Sequence, residues 1–214
     1  MSTDADASGR RLPNILITGT PGTGKSTTAR MLQEKAPTLQ YIEIGALVKD
    51  QQLHDGWDEE YQSYILDEDR ICDAIEERME AGGNIVDYHG ADLFPERWFD
   101  LVVVLRSDNS VLYGRLESRT ARRRQYLSVS FCARVGGWKC FSDGFVVQLR
   151  RGYAQKKLTE NVDAEIMQVV LDEAREAYRE DIVVELRSDS IEDLESNVQR
   201  AVQWIQNWCA AQGQ

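Results

Sequence analysis

A glycine-rich segment near the N-terminus has the residue types that wrap a phosphate group. Gly19–Ser26, with the letters GTPGTGKS, fits the pattern G-x-x-x-x-G-K-[ST]. Its glycines let backbone N–H groups face an anion, and a helix that follows adds its positive N-terminal end. In this pattern Lys25 reaches the β- and γ-phosphates, and the Ser26 hydroxyl can bind Mg²⁺. The segment predicts a nucleoside triphosphate site without saying which reaction follows.

Two more polar side chains follow the apolar run Asn84–Val86, which predicts a strand. Ligand sites of parallel sheets lie at the carboxyl ends of the strands. Asp87 is therefore the candidate acid for Mg²⁺ or its water, with a turn or cap aspartate as the alternative. His89 could orient water or a phosphate oxygen, and a hydrogen-bonding loop histidine is an equal alternative.

Cationic side chains gather beyond the apolar run 101–105: Arg106, Arg115, Arg119, Arg151, Lys156 and Lys157. Phosphoryl transfer gains mainly from positioning and from cations over the transferred group. Arginines on a lid that closes over the nucleotide meet that need. The alternative is a set of solvated helix-face charges, and for Arg115 we favour it.

The elements that must position these residues alternate along the chain. Apolar runs predict strands at 14–18, 41–44, 84–87, 101–105 and 182–186. Apolar residues at helical spacing predict helices after Gly24 and over 66–81, 108–118 and 159–179. Gly82 and Gly83 should end the helix over 66–81, and a capping box at Ser190 should open a last helix. The alternation predicts an α/β fold with a mostly parallel sheet.

Composition narrows the class of protein. The chain has 214 residues, 42% hydrophobic and 29% charged, as expected for one globular domain. We find no apolar run long enough for a membrane span and no secretory signal, so we expect no membrane partner. Residues 1–11 predict a disordered tail before a domain over 12–214. The four cysteines form no CxxC pair, which favours a reducing compartment.

The net charge of −11 disfavours general binding to nucleic acid or anionic membranes. It is the sum of two unlike parts. The 32 residues over 120–151 carry +6, which leaves −17 on the other 182 residues. Direct RNA contact is therefore not expected, except through 120–151.

Long stretches resemble the adenylate kinase isoenzyme 6 family, which takes part in small ribosomal subunit maturation. The matching segments are Pro13–Lys25, Gln52–Tyr61, Ile65–Arg70, Val86–Gly90, Phe94–Phe99 and Gly152–Asn161. The resemblance covers nearly the whole chain outside 1–11 and 120–151. It implies a P-loop NTPase fold like that of nucleoside monophosphate kinases, three α/β/α layers around a parallel five-stranded sheet.

In this fold, 43–66 would be the insert that binds the monophosphate, since it is too long for a tight connection. The region 118–161 would be the lid. The resemblance implies transfer of a phosphoryl group from ATP to AMP or another nucleoside monophosphate, with Mg²⁺ and with ATPase activity. It also implies a basic platform ribosomal protein as partner, a role in 18S rRNA processing, and a place in nucleus and cytoplasm.

Carried over residue by residue, the resemblance implies an ATP site at the glycine-rich loop. Its nucleotide-binding residues would be Gly22, Thr23, Gly24, Lys25, Ser26, Thr27 and Lys156. Asp87 would be the acid on the Mg²⁺ side, and His89 would be tied to ATP hydrolysis. Arg119 would be the arginine at the base of the lid, although Arg151 fits the same motif.

The departure from the family lies in the lid, where Arg119 and Gly152 are separated by 32 residues that the family lacks. Three explanations remain: an ordered lid extension, a basic loop that contacts nucleic acid, or a retained intron whose length preserves the reading frame. We favour the last, because composition and periodicity change abruptly at a point that the family joins directly.

Two further functions compete with the monophosphate kinase. One is an assembly ATPase that remodels a ribosomal precursor and whose kinase activity is incidental. The acidic charge of the chain outside 120–151 suits it, because such a surface attracts a basic ribosomal protein. The other, a P-loop kinase for a metabolite, is disfavoured by the intact insert and lid motifs.

Overall fold

A computed structural model describes residues 10–58, 63–119 and 156–212. Its main sheet has five parallel strands in the order β2-β5-β1-β6-β7. These strands span Ile15–Thr18 (β1), Gln40–Glu43 (β2), Asn84–Asp87 (β5), Leu101–Arg106 (β6) and Val183–Arg187 (β7). The predicted α/β fold and the five predicted strands are thus confirmed, with ends that shift by one residue. The predicted basic insertion 120–151 and the start of the tail lie outside the described residues.

Helices cover both faces of this sheet and give the three predicted layers. Their bounds are Lys25–Lys35 (α1), Ile44–Gln51 (α2), Glu68–Ala81 (α3), 109–119 (α4), 156–166 (α5), Val169–Ala177 (α6) and Ile191–Gln212 (α7). Among these helices, none is long and apolar enough to cross a membrane.

The sheet separates two hydrophobic cores. On one face α3 and α6 pack on alternate residues of β1, β5 and β6, with Leu16, Ile75 and Leu171 fully buried. On the other face α1 and α7 pack on the intervening residues, with Ile17, Leu32 and Val198 at the centre. Because both faces of the central strands are covered, their sequences are continuous apolar runs rather than alternating ones.

The predicted insert 43–66 contains α2 and a two-stranded antiparallel sheet. Its strands are His54–Asp58 (β3) and Ser63–Leu66 (β4). Two predicted bounds are wrong here. Ile44, predicted as strand, opens α2, and Leu66, predicted as helix, ends β4. Asp67 caps α3 by accepting the Arg70 N–H at 3.1 Å, so the helix begins at Glu68.

The single helix predicted over 159–179 is also wrong, because a turn at Met167 and Gln168 divides it into α5 and α6. Gln168 adopts left-handed backbone angles, with φ of 57°, which an α-helix cannot contain. The break ends the apolar stripe, so that Ile166 and Val169 are exposed while Leu171 is buried.

The predicted helix signals are confirmed. At α7 the Ser190 hydroxyl accepts the Asp193 N–H at 3.0 Å, and the Asp193 carboxylate accepts the Ser190 N–H at 3.0 Å. This reciprocal pair is a capping box. At the end of α3, Gly82 has φ of 79° and donates its N–H to Arg78 at 3.2 Å, which closes the last turn.

Candidate nucleotide site

The glycine-rich segment connects β1 to α1 at the carboxyl edge of the sheet, next to the ends of β5 and β6. Gly22 and Gly24 have φ of 107° and 100°, a region that L side chains rarely adopt. A Cβ on Gly22 would also lie 2.7 Å from Leu112 of α4. Gly24 caps α1 without a side-chain bond, and the first turn of α1 contains no acid. The helix thus presents its N–H groups and positive end without a built-in anion.

Lys25 is the first residue of α1 and folds back over the loop. Its Nζ donates to the Gly19 carbonyl at 2.6 Å and the Thr20 carbonyl at 3.2 Å. Burial, with a smaller contribution from the positive charge of Arg119, lowers the pKa of Lys25 to about 8, while the negative charges of Asp87 and Glu165 oppose the shift. The ammonium therefore lies at the loop in a site with little water, where a phosphate would meet it.

Asp87 ends β5 and is buried, directly beside Glu43 of β2 in the sheet register. Its Oδ2 accepts the Tyr41 hydroxyl at 3.0 Å, and the Glu43 carboxylate lies 3.2 Å from the same hydroxyl. Burial, the charge of Asp87 and its hydrogen bond raise the pKa of Tyr41 well above its ordinary value, and the Ser26 side chain opposes the rise as a hydrogen-bonding neighbour. Tyr41 thus lies between Ser26 and Asp87.

This donor set suits magnesium. Mg²⁺ prefers hard oxygen ligands, typically one or two carboxylates completed by water and phosphate. Ser26 and Asp87 supply a hydroxyl and a carboxylate that share Tyr41 as neighbour. Within the described ranges, no group of three histidine, cysteine, aspartate or glutamate residues converges as a closed metal cage. An open site completed by nucleotide phosphates fits these residues.

His89 lies two residues beyond Asp87, beside the ring of Tyr88, with centroids 4.4 Å apart. The residue as a whole is exposed. Partial burial of the imidazole lowers the pKa of His89. The positive charges of Lys25 and Lys157 also lower this pKa, and the negative charges of Asp87 and Asp92 oppose the shift. A neutral imidazole is therefore the dominant form at pH 7, which leaves one ring nitrogen able to accept a hydrogen bond.

The predicted cations divide into two groups. Arg119 and Lys157 are exposed, and their charges act on Lys25 and His89, respectively. Lys156 is exposed and lies 3.8 Å from Glu160, an i,i+4 pair on α5. Arg151 lies outside the described residues.

Arg106 and Arg115 have different roles from those expected of a lid or a helix face. Arg106 donates its Nε–H to Glu165 at 2.6 Å and its Nη2–H to the Glu165 carbonyl at 3.0 Å. Arg115, predicted as a solvated charge, donates to the carbonyls of Ser188 at 2.7 Å and Asp189 at 2.8 Å. Arg106 therefore holds α5 at the end of β6, and Arg115 holds α4 at the connection between β7 and α7, because both guanidinium groups donate to fixed protein acceptors.

Two residues at this edge were missed in the sequence. Tyr41 opens the predicted strand 41–44, two residues before Glu43 at the carboxyl end of β2, and nothing in the sequence signals the contact of its hydroxyl with Asp87. Glu165, whose Oε2 accepts the Thr20 hydroxyl at 2.5 Å, gives no signal either. It lies in helix α5, 145 positions away from Thr20 in the sequence.

Comparison with known proteins agrees with this geometry. A family model described as an AAA domain matches residues 15–130. An adenylate kinase isoenzyme 6 homolog of Dictyostelium discoideum is 48% identical over 199 residues, covering 93% of this chain and 95% of that protein. A homolog of the same name from Schizosaccharomyces pombe is 44% identical over 199 residues, with the same coverage.

Solved structures support the fold alone. A shikimate kinase from Bacteroides thetaiotaomicron matches with a TM-score of 0.54 at 15% identity, covering 91% of this chain and 99% of that one. A shikimate kinase from Acinetobacter baumannii matches with a TM-score of 0.52 at 15% identity, over 94% and 97%. The phosphate-binding loop and the relatives at 44 to 48% identity show that the chain belongs to the adenylate kinase isoenzyme 6 family of P-loop phosphotransferases.

Proposed function

We propose that the protein transfers the γ-phosphoryl group of ATP to a nucleoside monophosphate, with AMP as the first acceptor to test. The observation that carries this proposal is the shared edge of the sheet: the loop with Lys25 lies beside the end of β5, where Asp87 accepts the Tyr41 hydroxyl. Relatives that are 44 to 48% identical are named adenylate kinase isoenzyme 6 homologs.

In this reaction the loop N–H groups and the N-terminus of α1 bind the phosphates, and Lys25 leaves its loop carbonyls to contact the β- and γ-phosphates. Ser26 and Asp87 would hold Mg²⁺, which when bound neutralises phosphate charge. Thr23 and Thr27 belong to the same phosphate-binding segment. Arg119 and Lys156 supply positive charge to the nucleotide. An acceptor phosphate oxygen forms the new bond to the γ-phosphorus, the bond to the β–γ bridging oxygen breaks, and ADP leaves.

The acceptor belongs to the 43–66 insert under this proposal. The β3–β4 hairpin exposes Trp57 and Tyr64, whose rings meet edge to face at 5.1 Å, and Tyr64 stacks on His54 at 4.2 Å. Exposed aromatic rings offer a stacking surface for a nucleobase. Transfer to a monophosphate needs no strong general base, because the acceptor oxygen is already anionic.

A second candidate function is ATP hydrolysis that drives ribosome assembly, and a neutral His89 favours it. A water nucleophile must lose a proton, and a neutral imidazole at the end of β5 can accept that proton or orient the water. The protein partner would be a basic platform protein of the small ribosomal subunit in nucleus and cytoplasm, attracted by the −17 charge outside 120–151.

ADP production with and without AMP tests both functions. Lys25→Ala should lower both activities by more than about a hundredfold, because it removes the cation from the phosphates. The matched control Lys35→Ala, at the exposed C-terminal end of α1, should change neither. Retention of both activities in Lys25→Ala would contradict the site.

His89→Gly separates the two activities. If the imidazole acts on water, hydrolysis without AMP should fall by about a hundredfold while transfer to AMP persists. Equal loss of both activities would show that our separation of roles is wrong. Adding a basic platform ribosomal protein to the same assay tests the partner, since the assembly function predicts that it changes the hydrolysis rate.

A further inference from the structure

Glu165 is a buried carboxylate next to the phosphate-binding loop that the proposed chemistry does not use. It lies on α5 and is 2% exposed. Its Oε2 accepts the Thr20 hydroxyl at 2.5 Å, and its Oε1 accepts the Arg106 Nε–H at 2.6 Å and the Ser107 N–H at 3.1 Å. A buried charge with so many partners is costly to disturb, because loss of one partner leaves the others unsatisfied.

Thr20 is the residue through which this carboxylate reaches the loop. Its side chain is fixed to Glu165, and its own carbonyl accepts three groups: the Thr23 N–H at 3.2 Å, the Thr23 hydroxyl at 2.9 Å and the Lys25 ammonium at 3.2 Å. Thr20 is 1% exposed, so no water competes for its hydroxyl. The position of Glu165 therefore sets where the loop carbonyls lie and where Lys25 is held.

The same carboxylate also fixes the end of β6. Arg106 is the last residue of that strand, and Ser107 begins the connection to α4, which carries Arg119. The Ser107 hydroxyl in turn donates to the Ser188 carbonyl at 2.9 Å, and Arg115 of α4 donates to that hydroxyl at 3.1 Å. Glu165 thus joins three segments that contribute to the nucleotide site: the loop, the end of β6 and α5.

We propose that Glu165 is a positioning residue for phosphoryl transfer, which holds the loop at Thr20 in the arrangement that receives the ATP phosphates. This inference rests on the proposed nucleotide site, but not on which acceptor the enzyme uses. Glu165 contacts no reacting atom; it acts through Thr20. Its loss should weaken ATP binding in molecules that remain folded, while acceptor binding at the insert stays as it is.

The test compares Glu165→Gln with Glu185→Gln in the full chain. Glutamine keeps the size of the side chain and loses its charge. Glu185 is the matched control, because it contacts the same Arg106 at 3.4 Å, lies on the exposed side and has no contact with Thr20. We expect Glu165→Gln to raise the ATP Kd about tenfold, with AMP KM unchanged, and Glu185→Gln to change neither.

Binding of ATP is measured by calorimetry at a temperature well below each variant's Tm. If Glu165→Gln lowers the Tm but leaves the ATP Kd at the wild-type value, the residue is only structural and the proposal is overturned. If the wild type binds ATP but transfers no phosphoryl group, the proposed function fails and the binding comparison still tests Glu165.

Thr20 variants provide the second arm, which remains valid if Glu165→Gln does not fold. Thr20→Val removes the hydroxyl at nearly constant volume and should weaken ATP binding as Glu165→Gln does, whereas Thr20→Ser keeps the hydroxyl and should restore it. In the double variant the two losses should not add, because both weaken the same contact between Thr20 and Glu165. Fully additive losses, or a Thr20→Ser variant as weak as Thr20→Val, would refute the coupling.

Discussion

ATP binding should be accompanied by uptake of a proton at Lys25. In the nucleotide-free protein, burial lowers the pKa of this lysine to about 8, so a large share of the side chain is uncharged in mildly alkaline solution. Bound phosphates surround the amine with negative charge and favour its protonated form. The nucleotide should therefore return the pKa of Lys25 toward its ordinary value of 10.5.

The size of the effect follows from linkage. With a free pKa of about 8, roughly 0.1 proton should be taken up per ATP at pH 7, about 0.5 at pH 8 and about 0.9 at pH 9. The sign is that binding weakens as pH rises, because the empty site must first recover its proton. Well above pH 8 the Kd should rise up to about tenfold per pH unit.

Calorimetry in paired buffers measures this uptake directly. At one pH, titrations in two buffers with different ionisation enthalpies give different heats, and the slope is the number of protons exchanged. Above pH 8 the nucleotide phosphates are already deprotonated. The His89 pKa is lowered from 6.5, so the imidazole is neutral there as well.

Lys25→Arg is the control, since a guanidinium stays charged throughout this range. It should bind ATP without proton uptake at pH 8 to 9. An uptake in the wild type that stays near zero from pH 7 to 9, or one that is equal in Lys25→Arg, would refute the assignment of a low pKa to Lys25.

Four further changes have defined outcomes. Gly22→Ala should abolish detectable ATP binding while the chain stays folded, because the added methyl meets Leu112 and the φ of 107° is strained; calorimetry and circular dichroism measure the two. Asn14→Ala should lower the free energy of unfolding by about 3 kcal/mol, since it leaves several buried backbone groups unpaired. Ser190→Ala should cost about 1 kcal/mol through loss of the α7 cap. Denaturant titration measures both. Asp87→Asn should weaken binding of Mg²⁺–ATP and strengthen binding of metal-free ATP, measured with and without EDTA.

The layers of this fold could be predicted because each strand and helix carries its own local signal. Strands β1 and β6 are buried on both faces, and a continuous apolar run at each predicts such a strand. The capping box at Ser190 and the glycines after α3 mark helix ends through contacts of four residues or fewer. One error lies at Gln168, whose left-handed backbone ends the helix although the apolar stripe continues in the sequence.

The site was predictable only in part, because only some of its residues carry a local signal in the sequence. Lys25 and Ser26 belong to a contiguous loop, and Asp87 follows a recognisable strand. The bond between Thr20 and Glu165 joins residues 145 positions apart, and Arg115 donates to loop carbonyls more than 70 positions away. No periodicity encodes such pairs. The sequence therefore predicted where the loop and Asp87 lie better than it predicted the groups that hold the loop in place.

The charges around Lys25 explain why the metal should decide how tightly ATP binds. Lys25 and Arg119 supply two positive charges, and Asp87 and Glu165 supply two negative charges that act on the same lysine. Glu165 is already hydrogen-bonded to Arg106 and Thr20. Within the described contacts, Asp87 accepts only the neutral hydroxyl of Tyr41. The Asp87 carboxylate therefore faces the incoming polyphosphate without a cation bonded to it and repels it. A divalent cation reverses the sign of that interaction, so the same carboxylate that opposes free ATP should favour the metal complex.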